Sequence, residues 1–272
     1  MSRGNGGPPA VLAEGLVKRF TGREGDVEAV RGVDLEVHAG EVFGFLGPNG
    51  AGKSTTVRML TTLLKITAGR AQVLGIDVAA DPDEARRRIG VALQEAGLDP
   101  RQTGRGLLRL HGELFGMSTA RAGERAEELL ELVELGDAAD RVIKGYSGGM
   151  ERRLDLAASL VHQPELLFLD EPTTGLDPAS RLTIWDELRR INGLGTTVFL
   201  TTQYLEEADQ LCDRVAIIDS GRIVRQGTPR ELKDDHRERR GLGDEPTLDD
   251  VFLDATGRTR ARAAGEVQEV KA

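Results

Sequence analysis

The chain has 272 residues, a formal net charge of −9 and one cysteine. That length buries a sizeable core without disulfides, so Cys212 reads as a structural thiol in a reducing compartment. The acidic balance argues against broad adhesion to nucleic acid; no apolar run reaches the roughly 18 residues of a membrane span, and the start MSRGNGGPPAVLAEG has no apolar signal region.

Residues 1–9 are rich in Gly and Pro and are expected to form a disordered leader. From Ala10, AVLAEGLVKRF, EAVRGVDLEV and GEVFGFLG read as strands. The third runs into a Gly-rich loop and then KSTTVRMLTTLLK, which has helical spacing. A strand AQVLG, a helix capped at DPDEARRRI and a strand GVALQ follow. Between about 97 and 150 the apolar residues recur every three or four positions, which predicts a helical insert. Alternation then resumes with the strand ELLFLD, the helix ASRLTIWDELRRI, the strand TTVFLT, the helix YLEEADQLC and the strand RVAIID. That order predicts an α/β fold with a mostly parallel sheet flanked by helices. Beyond Gly227 the sequence predicts a short helix PRELKDD, a polar link HRERRGLGDEP and an amphipathic piece LDDVFLDAT. The expected organisation is a main domain over 10–230, a helical extension over 231–257 and a disordered tail over 258–272.

The loop GPNGAGKST fits G-x-x-x-x-G-K-[ST] through Gly47, Gly52, Lys53 and Ser54. Its glycines let backbone N–H groups wrap a polyphosphate at a helix N-terminus, Lys53 is placed for the β/γ-phosphates and Ser54 offers a hydroxyl to Mg²⁺. The match lies where that mechanism needs it, after a strand and before a helix. Downstream, LLFLDEP sets two adjacent carboxylates, Asp170 and Glu171, at the end of an apolar strand. Buried carboxylates need a cation or a partner. Asp170 is expected in the Mg²⁺ shell, and Glu171 is expected to orient or deprotonate water. Ser147, Gly148 and Gly149 precede a helix, where they read either as an ordinary N-cap or as a second anion site. One ATP does not need two such sites from one chain, so the second reading implies two chains facing each other.

GPNGAGKST, Gln94 in GVALQEAG, YSGGM, LLFLDEP and TTGLDP together resemble the ATP-binding subunits of ABC transporters over about residues 10–230. Within that family FGFLGPNGAGKSTTVRMLTTLL, YSGGMERRLDLAASL, LTTQYLEEADQL and TLDDVFL are most similar to drug exporters of the daunorubicin/doxorubicin-resistance type. The resemblance implies a P-loop NTPase core with an N-terminal antiparallel β subdomain and an inserted α-helical subdomain. It implies that Gly47, Pro48, Asn49, Gly50, Ala51, Gly52, Lys53, Ser54 and Thr55 bind ATP, and that Phe20 stacks on adenine unless it is an ordinary core residue. By the same resemblance Gln94 senses Mg²⁺ and the lytic water, against the reading of a surface glutamine. Asp177 reaches the opposite subunit, against a simple cap before Pro178, while Ser147 to Gly149 grip the γ-phosphate held by the partner.

Two departures stand out. Tyr146 and Met150 replace the usual ends of the signature Leu-Ser-Gly-Gly-Gln, and Gln203 occupies a position that usually carries histidine. Glutamine keeps the donor and acceptor of histidine but not its cation, so Gln203 is expected to contact the γ-phosphate with slower or differently controlled hydrolysis; a solvent-facing helix start is the other reading. The expected function is an ATPase, dimerising as a homodimer on ATP and Mg²⁺. It drives export of a drug or antibiotic through a separate integral membrane permease, from the cytoplasmic face of the membrane and without nucleic acid. A non-transport ABC ATPase and a regulatory subunit with little hydrolysis are the alternatives. Only 94 positions separate Lys53 from Ser147 and no heptads are sustained there, which disfavours the first.

Overall fold

The computed structural model describes residues 8–22, 25–94, 97–241 and 245–258. The expected leader, save Pro8 and Pro9, and the expected tail beyond Arg258 lie outside the described residues, as do Glu95 and Ala96 next to Gln94.

In chain order, β1 (Val11–Phe20) and β2 (Val27–Val37) form an antiparallel pair, and β3 (Val42–Leu46) leads through the glycine-rich loop into α1 (Lys53–Leu60). Next come β4 (Ala68–Val73), β5 (Ile76–Asp77), α2 (Pro82–Arg88) and β6 (Ile89–Ala92), then the helices α3 (Gly104–Leu114), α4 (Thr119–Leu132) and α5 (Gly148–Ser159). The chain closes with β7 (Leu166–Asp170), α6 (Pro178–Gly193), β8 (Thr197–Thr202), α7 (Leu205–Leu211), β9 (Arg214–Asp219), β10 (Arg222–Gly227), α8 (Pro229–Arg240) and α9 (Leu248–Thr256).

Two sheets result: an antiparallel one in the order β2-β1-β4-β5, and a second in the order β10-β9-β3-β8-β7-β6. In the second, β6, β7, β8, β3 and β9 run parallel and β10 returns antiparallel along the edge. Parallel strands covered on both faces read as unbroken apolar runs, and every residue of β3 and β7 is buried. Because successive side chains point to opposite faces, Phe43, Phe45, Phe168 and Phe199 enter the core shared with the antiparallel sheet. There Phe199 packs on the other three at centroid distances of 5.3–5.8 Å. Val42, Leu46, Leu167, Leu169, Val198 and Leu200 point the other way, into the core shared with α3, α4, α5 and α6. Cys212 is buried in that core, and burial pushes its thiol well above the ordinary range.

Three elements differ from the sequence expectation. The helix expected over Lys53–Lys65 ends at Leu60, because Thr62 takes a φ of 64° and the N–H groups of Thr62 and Leu64 bond back to the carbonyls of Met59 and Arg58. Arg222–Gly227, for which the sequence reading named no element, is β10; Ser220 and Gly221 both have positive φ and form the tight turn that folds it onto β9. The expected short helix runs on through Arg240, taking in the first five residues of the expected polar link. A full capping box at Thr228 and Glu231 starts it, and Arg230–Asp234, Arg237–Asp234 and Arg239–Asp235 pairs line its surface. Leu232 of α8 and Leu248 and Val251 of α9 are buried in the same core as α5 and α6.

Candidate functional site

Parallel α/β sheets present ligands with the carboxyl ends of their strands. Here the loop after β3 carries Gly47 to Thr55, β7 ends at Asp170, Gln203 follows β8 and Gln94 lies two residues beyond β6. The register pairs Leu46 with Thr202, Asp170 with Thr201 and Ala92 with Leu169, so all four segments leave the same sheet edge side by side.

The loop tolerates no side chain at two places. A Cβ on Gly47 would lie 2.5 Å from the Ile218 carbonyl oxygen, and one on Gly52, at φ 107°, 2.6 Å from that of Ala29. The Gly47 N–H donates to the Thr202 carbonyl at 3.2 Å, and the Gly221 N–H to that of Ala51 at 2.9 Å, which anchors the loop to β8 and to the β9–β10 turn.

Lys53 is 4% exposed; its ammonium donates to the carbonyls of Gly47 at 2.8 Å and Pro48 at 3.1 Å and lies 3.1 Å from a Glu171 carboxylate oxygen. The Ser54 hydroxyl donates to Asp170 Oδ1 at 3.1 Å, and Thr201 donates to the same oxygen at 2.5 Å. Asp170 Oδ2, fully buried, has no hydrogen-bond partner among the described residues. An orphaned carboxylate oxygen beside a serine hydroxyl is a donor set for a hard divalent cation, so these residues fit Mg²⁺. Glu171 stands at φ 51°, a conformation that costs on the order of 1–3 kcal/mol and persists only when its surroundings hold it. Its N–H bonds to the hydroxyl and the carbonyl of Thr201, and Thr174 donates to its other carboxylate oxygen at 3.2 Å.

Gln203 is half-buried and its amide makes no hydrogen bond among the described residues. The next residue is fixed: the Tyr204 N–H bonds Thr202 Oγ1 at 2.9 Å, and the Arg181 guanidinium lies 4.8 Å from its ring centroid. Gln94 is exposed. Phe20, 42% exposed, pairs with Val27 on β2, two residues before the Ala29 carbonyl that abuts Gly52; this puts an aromatic face at the rim of the loop. The Lys18 ammonium sits 5.1 Å from its ring centroid.

The second candidate anion site is separate from these groups in chain order and in partners. Ser147 and Gly148 are exposed, and the Ser147 hydroxyl accepts from the Met150 N–H at 3.3 Å as the cap of α5. Asp177 caps α6, and the hydroxyl and N–H of Ser180 hold its carboxyl below the usual carboxylate range. A Cβ on Gly149 would lie 3.0 Å from the same Ser180 hydroxyl, so Gly149 and Asp177 share one neighbour on one exposed surface. Tyr146 is anchored in the helical insert by its bond to the Ala138 carbonyl at 2.8 Å, and Met150 packs against the core.

Among the buried charged residues that the sequence reading did not single out are Glu207 and Arg152. Glu207 of α7 accepts from the Thr173 hydroxyl at 2.8 Å and from the Trp185 indole at 3.0 Å, and burial pushes its carboxyl up. Arg152 of α5, 9% exposed, donates to the carbonyls of Leu93, Asp170 and Pro172 and to the Asp155 carboxylate. The available signal was the spacing of Arg152 and Asp155 by three on one helix, which places opposite charges on one face.

Residues 30–174 match the family model described as ABC transporter. Over 224 residues, 82% of this chain and 67% of the relative, the sequence is 58% identical to the daunorubicin/doxorubicin resistance ATP-binding protein DrrA of Streptomyces peucetius. It is 44% identical over 229 residues, 84% of this chain and 70% of the relative, to the Nod factor export ATP-binding protein I of Ralstonia nicotianae. Among solved structures, the dimeric ATP-binding cassette MJ0796 in a post-hydrolysis state with ADP and Pi superposes with a TM-score of 0.74 at 28% identity, covering 80% of this chain and 98% of that one. With a P-loop, a buried cation-ready aspartate and a strained glutamate on one sheet edge, and with these relatives, the chain belongs to the ABC transporter family as an ATP-binding, ATP-hydrolysing subunit.

Proposed function

We propose that this chain binds ATP with Mg²⁺ at the loop Gly47–Thr55 and hydrolyses it as one half of a homodimer that powers export through a membrane permease on a separate chain. The observation that carries the reading is the Lys53–Glu171–Asp170–Ser54 cluster with its orphaned Asp170 oxygen. In this reading the phosphates take the contacts Lys53 now makes with Gly47 and Pro48, since an ammonium at that depth needs anionic or carbonyl oxygens. Ser54 and Asp170 would hold the cation, with Gln94 beside it; bound there, Mg²⁺ would supply neutralisation of the phosphate charge. Glu171 orients or deprotonates the attacking water, and the Gln203 amide donates to a γ-phosphate oxygen. Phe20 offers its exposed face to adenine.

Ser147, Gly148, Gly149 and Asp177 serve the nucleotide of the facing copy. The Ser147 hydroxyl, although it accepts the cap bond, still has its own proton to donate, so capping and phosphate contact are compatible. Relatives named for drug resistance and Nod factor export support export as the use of this energy and a drug or antibiotic as cargo; residence at the cytoplasmic face of the membrane belongs to the same reading. Among the described residues no helix is long and apolar enough to cross a membrane.

The test is steady-state phosphate release by the purified chain with and without Mg²⁺, with Glu171→Gln alongside, and size exclusion of Glu171→Gln with ATP. Mg²⁺-dependent release lost in the variant and an ATP-dependent dimer support the reading. Release unaffected by the substitution, or a monomer under all ATP conditions, would sink it.

A further inference from the structure

Helix α5 carries two adjacent arginines that point to different bodies of the protein. Arg153 donates to the carbonyls of Val133 and Glu134, at the end of α4 in the helical insert. Arg152 donates Nε–H to the Pro172 carbonyl at 2.9 Å and Nη2–H to that of Asp170 at 3.0 Å, while Nη1 bonds the Leu93 carbonyl and Asp155 Oδ2, the latter at 3.2 Å. Asp170 and Pro172 flank Glu171, and Leu93 immediately precedes Gln94. One planar guanidinium therefore clamps the backbone on both sides of the strained glutamate and the entry to the Gln94 loop, and it does so from the helix whose first turn is Ser147 to Gly149.

We propose that Arg152 is a positioning residue for ATP hydrolysis, tying the placement of Glu171 and Gln94 to the orientation of the helix that begins at Ser147. The inference rests on the reading of Glu171 as the hydrolytic carboxylate. A fork of donors fixed in one plane defines an orientation that a flexible ammonium does not, which suits a coupling element. Stability alone is a poor reason for the arrangement. Burial pushes the Asp155 carboxyl up to about 6 despite the neighbouring cation, and buried ion pairs of this kind are often matched or exceeded by apolar replacements. Both bodies are bound to α5 by neighbouring residues, so a tilt of α5 against a facing nucleotide moves the Asp170–Pro172 backbone with it.

The double variant removes the ion pair without leaving a lone buried charge, and the single variant is the reference in which the guanidinium stays. Asp155→Leu keeps the three carbonyl bonds of Arg152, whereas Arg152→Met with Asp155→Leu removes the guanidinium and its charge partner together. In the full-length chain the double variant is expected to bind ATP within about threefold of wild type and to keep its Tm within a few degrees of Asp155→Leu. Its kcat is expected to fall roughly 10- to 100-fold with KM little changed, the scale associated with misplacing a catalytic group by about 1 Å. Asp155→Leu alone keeps turnover within about threefold. A double variant that turns over like Asp155→Leu refutes the positioning role, and so does one in which kcat falls only in proportion to lost folded protein. Glu171→Gln in the same assay separates the layers: turnover that survives it refutes the Glu171 assignment and the inference with it, while turnover lost there but intact in the double variant refutes the inference alone.

Discussion

The phosphate cradle and the Ser147–Asp177 surface are both built from helix starts, yet they are finished to different degrees. Lys53, Asp170 and Glu171 are at most 9% exposed; Lys53 pairs with Glu171, Ser54 and Thr201 hold one oxygen of Asp170, and the other is left over. Ser147, Gly148 and Asp177 are exposed, and their polar side chains are occupied with capping the helices they begin. In the proposed function the first region draws its side chains from one copy of the chain, and the second meets a ligand only across from a facing copy. A sheet edge buries its reacting groups through strand packing, whereas a capped helix start at the surface costs little to keep, so the same fold can hold it in reserve.

Lys53→Ala should break the finished half outright. Phosphate release is expected to fall about 100- to 1,000-fold, with weakened ATP binding in equilibrium dialysis, because Lys53 is the buried ammonium beside the loop. Substitutions at Ser147 sharpen the other half. Ser147→Asp retains a capping side chain but sets a carboxylate where a phosphate would lie, so turnover should drop some tens-fold with Tm unchanged. Ser147→Ala should lose about 1 kcal/mol of cap and a smaller share of turnover. Were turnover to follow Tm across the pair, Ser147 would be only a cap.

Gln203→His probes the border between the regions and should keep or raise turnover by a few-fold, since an imidazolium adds a charge-assisted bond that the amide lacks. A collapse in rate would instead give Gln203 a role that histidine cannot fill. The smallest effect lies away from both regions. Glu187 of α6 is 3% exposed, neither of its oxygens has a hydrogen-bond partner among the described residues, and burial pushes its carboxyl up to about 8. The folded state then keeps a proton that the unfolded chain releases above about 4.5, so this group costs stability progressively from there to about pH 8. Thermal melts of Glu187→Gln should accordingly match wild type near pH 4.5 and run a few degrees higher at pH 8. Equal Tm values across that range would mean the carboxyl finds a partner.

What the sequence disclosed tracks the kind of signal involved. The loop Gly47–Thr55 and the strand ending at Asp170 were legible because spacing and apolar runs there are local consequences of the chemistry. The strand Arg222–Gly227 was not: four of its six residues are polar or glycine, and only the positive φ at Ser220 and Gly221 makes it a hairpin. The helix from Pro229 was cut short on paper because its last turns carry charge on every side, whereas paired Arg and Asp side chains stabilise such a surface. Arg152 and Glu207 stayed hidden for another reason. Whether a charged side chain on an amphipathic helix faces solvent or a row of carbonyls is decided by neighbours distant in sequence, 59 positions away for Leu93 and 34 for Thr173.

Leu248 and Val251 of α9 sit in the same apolar core as the helices behind the catalytic edge. A version of the chain cut after β10 would therefore be a core-deletion mutant in all but name, opening under β9 and β10 a leucine-sized hole at roughly 2–5 kcal/mol and a smaller valine-sized one. For this protein the minimal ATPase is longer than its motifs, and engineering that shortens it should begin beyond Gly257.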